Sequence, residues 1–494
     1  QDSPRSDRAT GLVDCGNWTE SASWPVPATA VSGVYIAKLT RSDNNGSSHI
    51  VFIVRDDSRN SHLLFKTSDA TWQAYNVYGG NSLYTGSTPG YPGGHATKVS
   101  YNRPFITRNG GGGGGAMEDW LFNAEYPMIR WLERNGYDVT YSTDVDMDRD
   151  QTLITPAKHK VLLSVGHDEY WSAAERTRFE AARDAGVHLA FFSGNEVYWK
   201  TRWENSIDGT NTPRRTLVCY KEGTLGENVC GGKCDPLPNV WTGLWRSGTL
   251  NSEGNKPENS LTGQISWVDA TGAIRVTDAY KDLPIWRNTS IASLGPGQSV
   301  TFPKGTLGYE WDARESSYAS SYPAGRQVLS STTLAGKTHE LSLYRHSSGA
   351  LVFGAGTVQW SWGLDNVHDR GNAAPSRDMQ QATVNLLSDM GVEAATLQTD
   401  LIPGIPADDD QAPVSAVVSP LQNESIPAGT PFNIMGTASD TGGGVVAAVE
   451  VSTDGGLTWK RADGNVNWMF LWTPESSGNA IILTRAIDNS GNIE

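Results

Sequence analysis

The sequence predicts an α/β domain built on a parallel sheet, followed by a small all-β sandwich. Three observations carry that reading. Val161-Leu162-Leu163-Ser164-Val165 is apolar except for Ser164 and ends in Gly166, and His188-Leu189-Ala190-Phe191-Phe192 repeats the pattern before Ser193-Gly194. Stretches with apolar residues at helical spacing precede and separate these runs, so strands and helices alternate. From residue 411 the period changes to two, as in Val449-Glu450-Val451-Ser452 before the turn Asp454-Gly455-Gly456.

Taken in order, residues 1–30 read as an extension or the remnant of a preceding domain. Ser32 to Leu39 and His49 to Arg55 read as strands of a hairpin linked by Asp43-Asn44-Asn45-Gly46, and Leu63 to Thr67 as a short strand. Thr71 to Tyr84 is aromatic, holds a Gly-Gly pair and has no clean period, which suits a segment that lines something. The six glycines Gly110 to Gly115 lack the Lys-Ser/Thr of a phosphate loop and read as a mobile loop. A helix is predicted from Asp119 to Asn135, with Gly136 behind it, then a strand over Tyr137 to Tyr141. The acidic run Asp144 to Asp148 lacks the glycine and distal glutamate of a calcium loop, so a solvated approach to a helix is expected. Ser172 is placed to cap a helix running to about Ala185. Further on, Thr306 to Asp312 reads as a strand end and Glu340 to Trp362 as a hairpin turning at Ser347-Ser348-Gly349. Arg377 to Met390 reads as a helix. A Pro- and acid-rich linker at Pro403 to Asp410 then separates a domain over 31–400 from a sandwich over 411–494.

Composition narrows the classes. A chain of 494 residues exceeds one hydrophobic core. A net charge of −15 without a run of Lys or Arg argues against a nucleic-acid reader. No apolar run approaches the roughly 20 residues that span a bilayer. The cysteines Cys15, Cys219, Cys230 and Cys234 lack zinc spacing and suggest two disulfides, hence a secreted or cell-surface protein.

The chemistry concentrates after Gly166. A buried strand of an open α/β sheet presents ligands at its carboxyl end, where His167 and Glu169 stand, and Asn195 and Glu196 follow the next strand. Imidazole and carboxylate together suit a metal or acid–base work, with a capped helix start as the plainer explanation. No G-x-S-x-G elbow and no H-E-x-x-H pattern occurs, so a hydrolase here would activate water through metal or carboxylate. Glu310, between Tyr309 and Trp311, is expected to have a raised pKa suited to general acid–base work, or else to be a surface strand residue. Tyr75, Tyr78 and Tyr84 are hard phenolate donors that suit ferric iron, although core or stacking roles are commoner. Asn195 could donate to an oxyanion or cap a helix.

Gly166-His167-Asp168-Glu169-Tyr170-Trp171, Ser193-Gly194-Asn195-Glu196-Val197-Tyr198-Trp199 and Leu307-Gly308-Tyr309-Glu310-Trp311 carry a resemblance. Together they resemble the C-terminal domain of the large (β) subunit of N,N-dimethylformamidase, over roughly residues 30 to 395. The resemblance implies a distorted glutamine-amidotransferase-like α/β domain with a mononuclear iron held by two tyrosines and a glutamate. Carried onto this chain, it makes Glu169, Tyr75 and Tyr84 the metal ligands, with Tyr78 in reserve. It makes Glu310 the general base, with His167 and Asn195 beside it, and implies hydrolysis of an amide C–N bond by activated water. The last segment resembles bacterial Ig-like modules, including through Val451-Ser452-Thr453-Asp454-Gly455-Gly456, and such a module could pair copies of the chain. The 18 Trp and 17 Tyr, with paired carboxylates Glu169 and Glu310, keep a second class open: a secreted carbohydrate-active enzyme or carbohydrate-binding surface protein. The substrate is accordingly a small molecule or a glycan.

Overall fold

The computed structural model describes residues 1–106, 120–222, 234–247, 255–265, 267–407 and 409–494. The predicted glycine loop and the Asp119 helix start therefore lie outside the described residues. The N-terminal hairpin forms as β1 (Gly33–Thr40) and β2 (Ser47–Val54). Strand β3 (Leu63–Lys66) is wholly buried and leads into helix α1 (Asp69–Tyr75). Helix α2 (Leu121–Arg134) buries Leu121, Met128, Trp131 and Leu132, the face its apolar spacing dictates. Then come β4 (Val139–Ser142), α3 (Asp144–Arg149), β5 (Val161–Gly166) and β6 (Tyr170–Ser172). Helix α4 (Ala173–Asp184) starts where predicted: Ser172 Oγ accepts from Glu175 N, and the Glu175 carboxylate accepts in return from Ser172 N.

Strand β7 (His188–Ser193), β8 (Trp199–Glu204) and the two-residue β9 (Glu310–Trp311) follow. The predicted hairpin appears as β11 (Lys337–Arg345) and β12 (Leu351–Gly354), preceded by β10 (Gln327–Leu334) and followed by helix α5 (Arg377–Asp389). Seven strands join in the order β10-β11-β12-β7-β5-β3-β4. The five from β12 to β4 are parallel, and β11 and β10 extend the edge antiparallel. Gly166 pairs with Ser193 in register, so the loops after β5 and β7 leave the sheet side by side. That is the mixed α/β architecture with added β structure that the alternation predicts.

The acidic run after β4 departs from expectation. It forms α3 itself, and Asp144 is buried rather than solvated. The cause is Lys66, which is fully buried at the end of β3 and needs anionic partners. Its ammonium is bonded to Asp144, to Asp168 at 2.6 Å and to Glu175 at 2.8 Å. One cation thus ties α3, the β5 loop and α4 together.

The expected pair of disulfides does not form either. Cys15 and Cys219 are buried free thiols, so at most one bridge is possible, and Cys230 lies outside the described residues. Cys219 packs with Leu83, Tyr170 and Trp199, where a thiol behaves as a small hydrophobe. Burial pushes its pKa up to about 12.

Beyond the linker stand β13 (Val414–Ser419), β14 (Phe432–Ser439), β15 (Val446–Ser452), β16 (Asn467–Trp472) and β17 (Leu483–Asp488). They form two sheets, one containing β13-β14-β16 and one pairing β15 with β17. Ile434, Val449, Val451, Trp468 and Ala486 fill the space between them, the sandwich that period-two patterning predicts. Arg345 of β11 donates to Ser490 O at 2.9 and 2.6 Å, and Gly325 N donates to Glu450 at 3.2 Å, joining the sandwich to the sheet edge. Among the described residues no helix is long and apolar enough to cross a membrane.

Candidate active site

The loops leaving β5 and β7 carry His167, Glu169 and Asn195, and their positions are fixed from both sides. Val197 N donates to Asp168 O and Tyr198 N to Glu169 O, each at 3.0 Å, lacing one loop to the other. Asn195 and Val197 take the left-handed region, φ 50° and 55°, and for a β-branched valine that conformation is strained. Gly194 is needed because a Cβ there would lie 2.7 Å from Val358 N. Glu169 N donates to Thr71 Oγ1 of α1 at 3.0 Å, which sets the carboxylate facing the end of that helix.

Tyr75 ends α1 and donates to Glu169 Oε2 at 3.0 Å. Tyr84 donates to the same carboxylate, 3.0 Å from Oε1 and 2.8 Å from Oε2, and the two phenol rings stack with centroids 4.1 Å apart. His167 Nε2 stands between two carboxylates, 3.5 Å from Glu169 Oε2 and 3.1 Å from Glu310 Oε2. Its Nδ1 pairs with the Tyr309 hydroxyl at 2.8 Å. Asn195 Nδ2 donates to Glu310 Oε2 at 2.9 Å. The six residues singled out in the sequence, Tyr75, Tyr84, His167, Glu169, Asn195 and Glu310, therefore meet in one place. Tyr78 does not join them and packs edge-on against Trp18. Glu196, expected on the same rim, has its buried carboxyl against Asp312 instead, where burial raises its pKa to about 7.

Sequence reasoning gave no role to two contributors. Trp199 donates its indole N–H to Glu169 Oε1 at 2.8 Å, although it was visible only as part of a motif. The Lys221 ammonium lies 3.3 Å from the Tyr84 ring centroid and 4.6 Å from that of Trp199, and nothing in its local sequence marks it.

The electrostatics separate the two glutamates. Burial raises the Glu169 pKa, with His167 and Lys221 opposing. Burial also acts to raise Glu310, but His167 and the Asn195 amide outweigh it and hold that carboxyl below the usual range. The raised value expected from Tyr309 and Trp311 is thus overturned, because Trp311 points into the core while Glu310 faces His167. Burial and the Glu169 charge push Tyr84 well above the ordinary phenol value, and burial lowers Lys221 to about 8.

Comparison with known proteins agrees with the motif reading. Residues 1–373 match the model of the family described as N,N-dimethylformamidase beta subunit-like, C-terminal, and residues 413–482 match a bacterial Ig domain. The N,N-dimethylformamidase beta subunit of Alcaligenes sp. is 29% identical over 122 residues, and that of Paracoccus aminophilus 26% identical over 122 residues. Each match spans 25% of this chain and 16% of the relative. Among solved structures, fibronectin(III)-like modules of Clostridium thermocellum CbhA match at 15% identity over 37% of this chain and 78% of theirs, with a TM-score of 0.15, too low to bear on the fold. The family match spans most of the chain and contains every residue of the site, so the chain belongs to the N,N-dimethylformamidase beta subunit-like, C-terminal family.

Proposed function

We propose that this chain is an exported, iron-dependent amidohydrolase that cleaves a non-peptide C–N amide bond with activated water, in the manner that the relatives' name suggests. One observation carries the reading: two phenol oxygens converge on one buried carboxylate at 2.8 to 3.0 Å, with a second carboxylate next to them. The donor set fits a hard trivalent cation. Metal–oxygen bonds of about 2 Å place neighbouring ligand oxygens about 3 Å apart, the separation found here. Tyr75, Tyr84 and Glu169 would hold the ion. A bound ferric ion supplies Lewis acidity at the amide carbonyl and acidifies water at neutral pH.

The remaining steps belong to the chain's own groups. Glu310, held ionised by His167 and Asn195, accepts the proton of the attacking water and returns it to the leaving nitrogen. His167 is fixed by the Tyr309 hydroxyl, and its Nε2 orients that carboxylate. Asn195 Oδ1 is buried and has no partner among the described residues, so it is available to orient the amide. Burial keeps Tyr84 a neutral phenol until a cation displaces its proton, so loading with iron releases protons and weakens in acid. Hydrolysis of a panel of short formamides and acetamides by iron-loaded protein, with Glu169→Ala as control, tests the assignment. No amide turnover above that control would reject it.

A further inference from the structure

Asn195 is held at two points by one short stretch of chain. Its Nδ2 donates to Glu310 Oε2 at 2.9 Å, and its backbone N–H donates to Asp312 Oδ2 at 3.2 Å. Glu310 and Asp312 are two positions apart, so extended backbone turns both carboxyls to one side, toward the loop after β7. We propose that Asp312, paired with the Glu196 carboxyl, is a positioning residue that fixes Asn195 so that its amide sets Glu310. The inference rests on the amide-hydrolase reading of this site.

The stretch itself is anchored from behind. Val358 N donates to Glu310 O at 3.2 Å and Asp312 N donates to Gly356 O at 2.9 Å, while Thr357 N donates to Ser193 O at 2.7 Å. Residues 356–358 thus tie the strand that carries the base to the end of β7 in fixed register. The weak link is Asn195, which leaves that register with φ 50° and is followed closely by the strained Val197. Its backbone N–H needs an acceptor there, and Asp312 supplies one.

Glu196 completes the device. Its carboxyl and that of Asp312 are both buried and lie against each other, and the acids Asp168 and Glu258 add to the repulsion. Burial and the Glu196 charge push Asp312 well above the ordinary carboxyl value, and burial raises Glu196 to about 7. Two carboxylates so placed do not both ionise, and one proton between them resolves the conflict. The pair then carries a single negative charge, which faces the Asn195 N–H.

The test uses the full iron-loaded chain and short amides. Asp312→Leu keeps the branched shape and removes the acceptor. Its kcat per bound iron is expected to fall about 10- to 100-fold with KM within about threefold, the scale of a small misplacement of reacting groups. Iron content and phenolate-to-iron absorption stay at the wild-type level, since Glu169 and its tyrosines are untouched. Asp312→Asn offers Asn195 N an oxygen and Glu196 a donor, so it recovers most of the wild-type kcat. Hydrogen exchange over residues 193–198 rises in Asp312→Leu and not in Asp312→Asn. If Asp312→Leu fails to fold, the double variant Glu196→Leu/Asp312→Leu takes its place, since it strands no buried carboxylate. Failure of both to fold makes Asp312 a structural group and overturns the role. Wild-type kcat in the leucine variant, a loss shared by Asp312→Asn, or a loss matched by lost iron also overturns it, with the hydrolase reading left standing. No amide turnover by the wild type overturns both.

Discussion

Glu169 and Glu310 both stand within 3.5 Å of His167, yet their pKa values move in opposite directions. The difference lies in solvation and partners: Glu169 is dominated by burial, whereas His167 and Asn195 stabilise the charged form of Glu310. In the proposed mechanism this gives the carboxylates different duties, one to hold a cation and one to move a proton. Glu310→Gln is therefore expected to lower kcat by about 10²- to 10⁴-fold, the contribution of a positioned base. Elemental analysis of the same sample should find its iron content unchanged. Equal losses of metal and turnover would make Glu310 a ligand instead. At this scale the sequence was uneven. His167, Glu169 and Asn195 were legible because they follow buried strands, while Tyr75 and Tyr84 stood out as phenolate donors and were set above Tyr78 only by the family resemblance. The direction of the Glu310 shift was not legible, since neighbours in sequence alternate sides of a strand and its partners come from distant loops.

Among the elements, the Lys66 cluster decides how α3 and α4 sit on the sheet. Lys66→Met leaves three buried acids without their cation and should cost about 3–5 kcal/mol, read as a lowered midpoint in urea unfolding. Glu125 of α2 offers a pH test. It accepts from Ser68 N at 2.9 Å and Trp72 Nε1 at 2.6 Å, and burial raises its pKa from 4.5 to about 8. Between those values the folded state keeps a proton that the unfolded chain has released, so this group's contribution to stability falls as pH rises. Glu125→Gln should remove that slope, and unfolding free energies measured from pH 4.5 to 8 should show wild type losing ground to the variant. A constant difference across the range would contradict the assignment. Element types were readable from period and caps, as Ser172 shows. The inward turn of Asp144 to Asp148 was not, because its cause is a lysine far away in sequence.

For the molecule as a whole, the alternation of strands and helices and the later change to period two were enough to anticipate the two architectures. The join between them was not encoded locally. Arg345 meets Ser490, and Gly325 meets Glu450, only once both parts are folded. Arg345→Ala removes two bonds to Ser490 O and should lower the sandwich's stability by roughly 1–3 kcal/mol, seen by calorimetry as a sandwich transition that separates from that of the main sheet. A single unshifted transition would place the coupling elsewhere. The disulfide expectation failed at this scale too. Cysteine counting does not reveal that Cys219 is packed in the apolar cluster behind the site.

In the proposed mechanism Glu169, Tyr75 and Tyr84 together hold iron. The most direct measurement is the metal content and visible spectrum of the purified protein beside Glu169→Ala. About one iron per chain is expected in the wild type, with a phenolate-to-iron absorption band. In the folded variant both are lost. Wild-type protein that takes up no iron, or a variant that keeps metal and band unchanged, would contradict it.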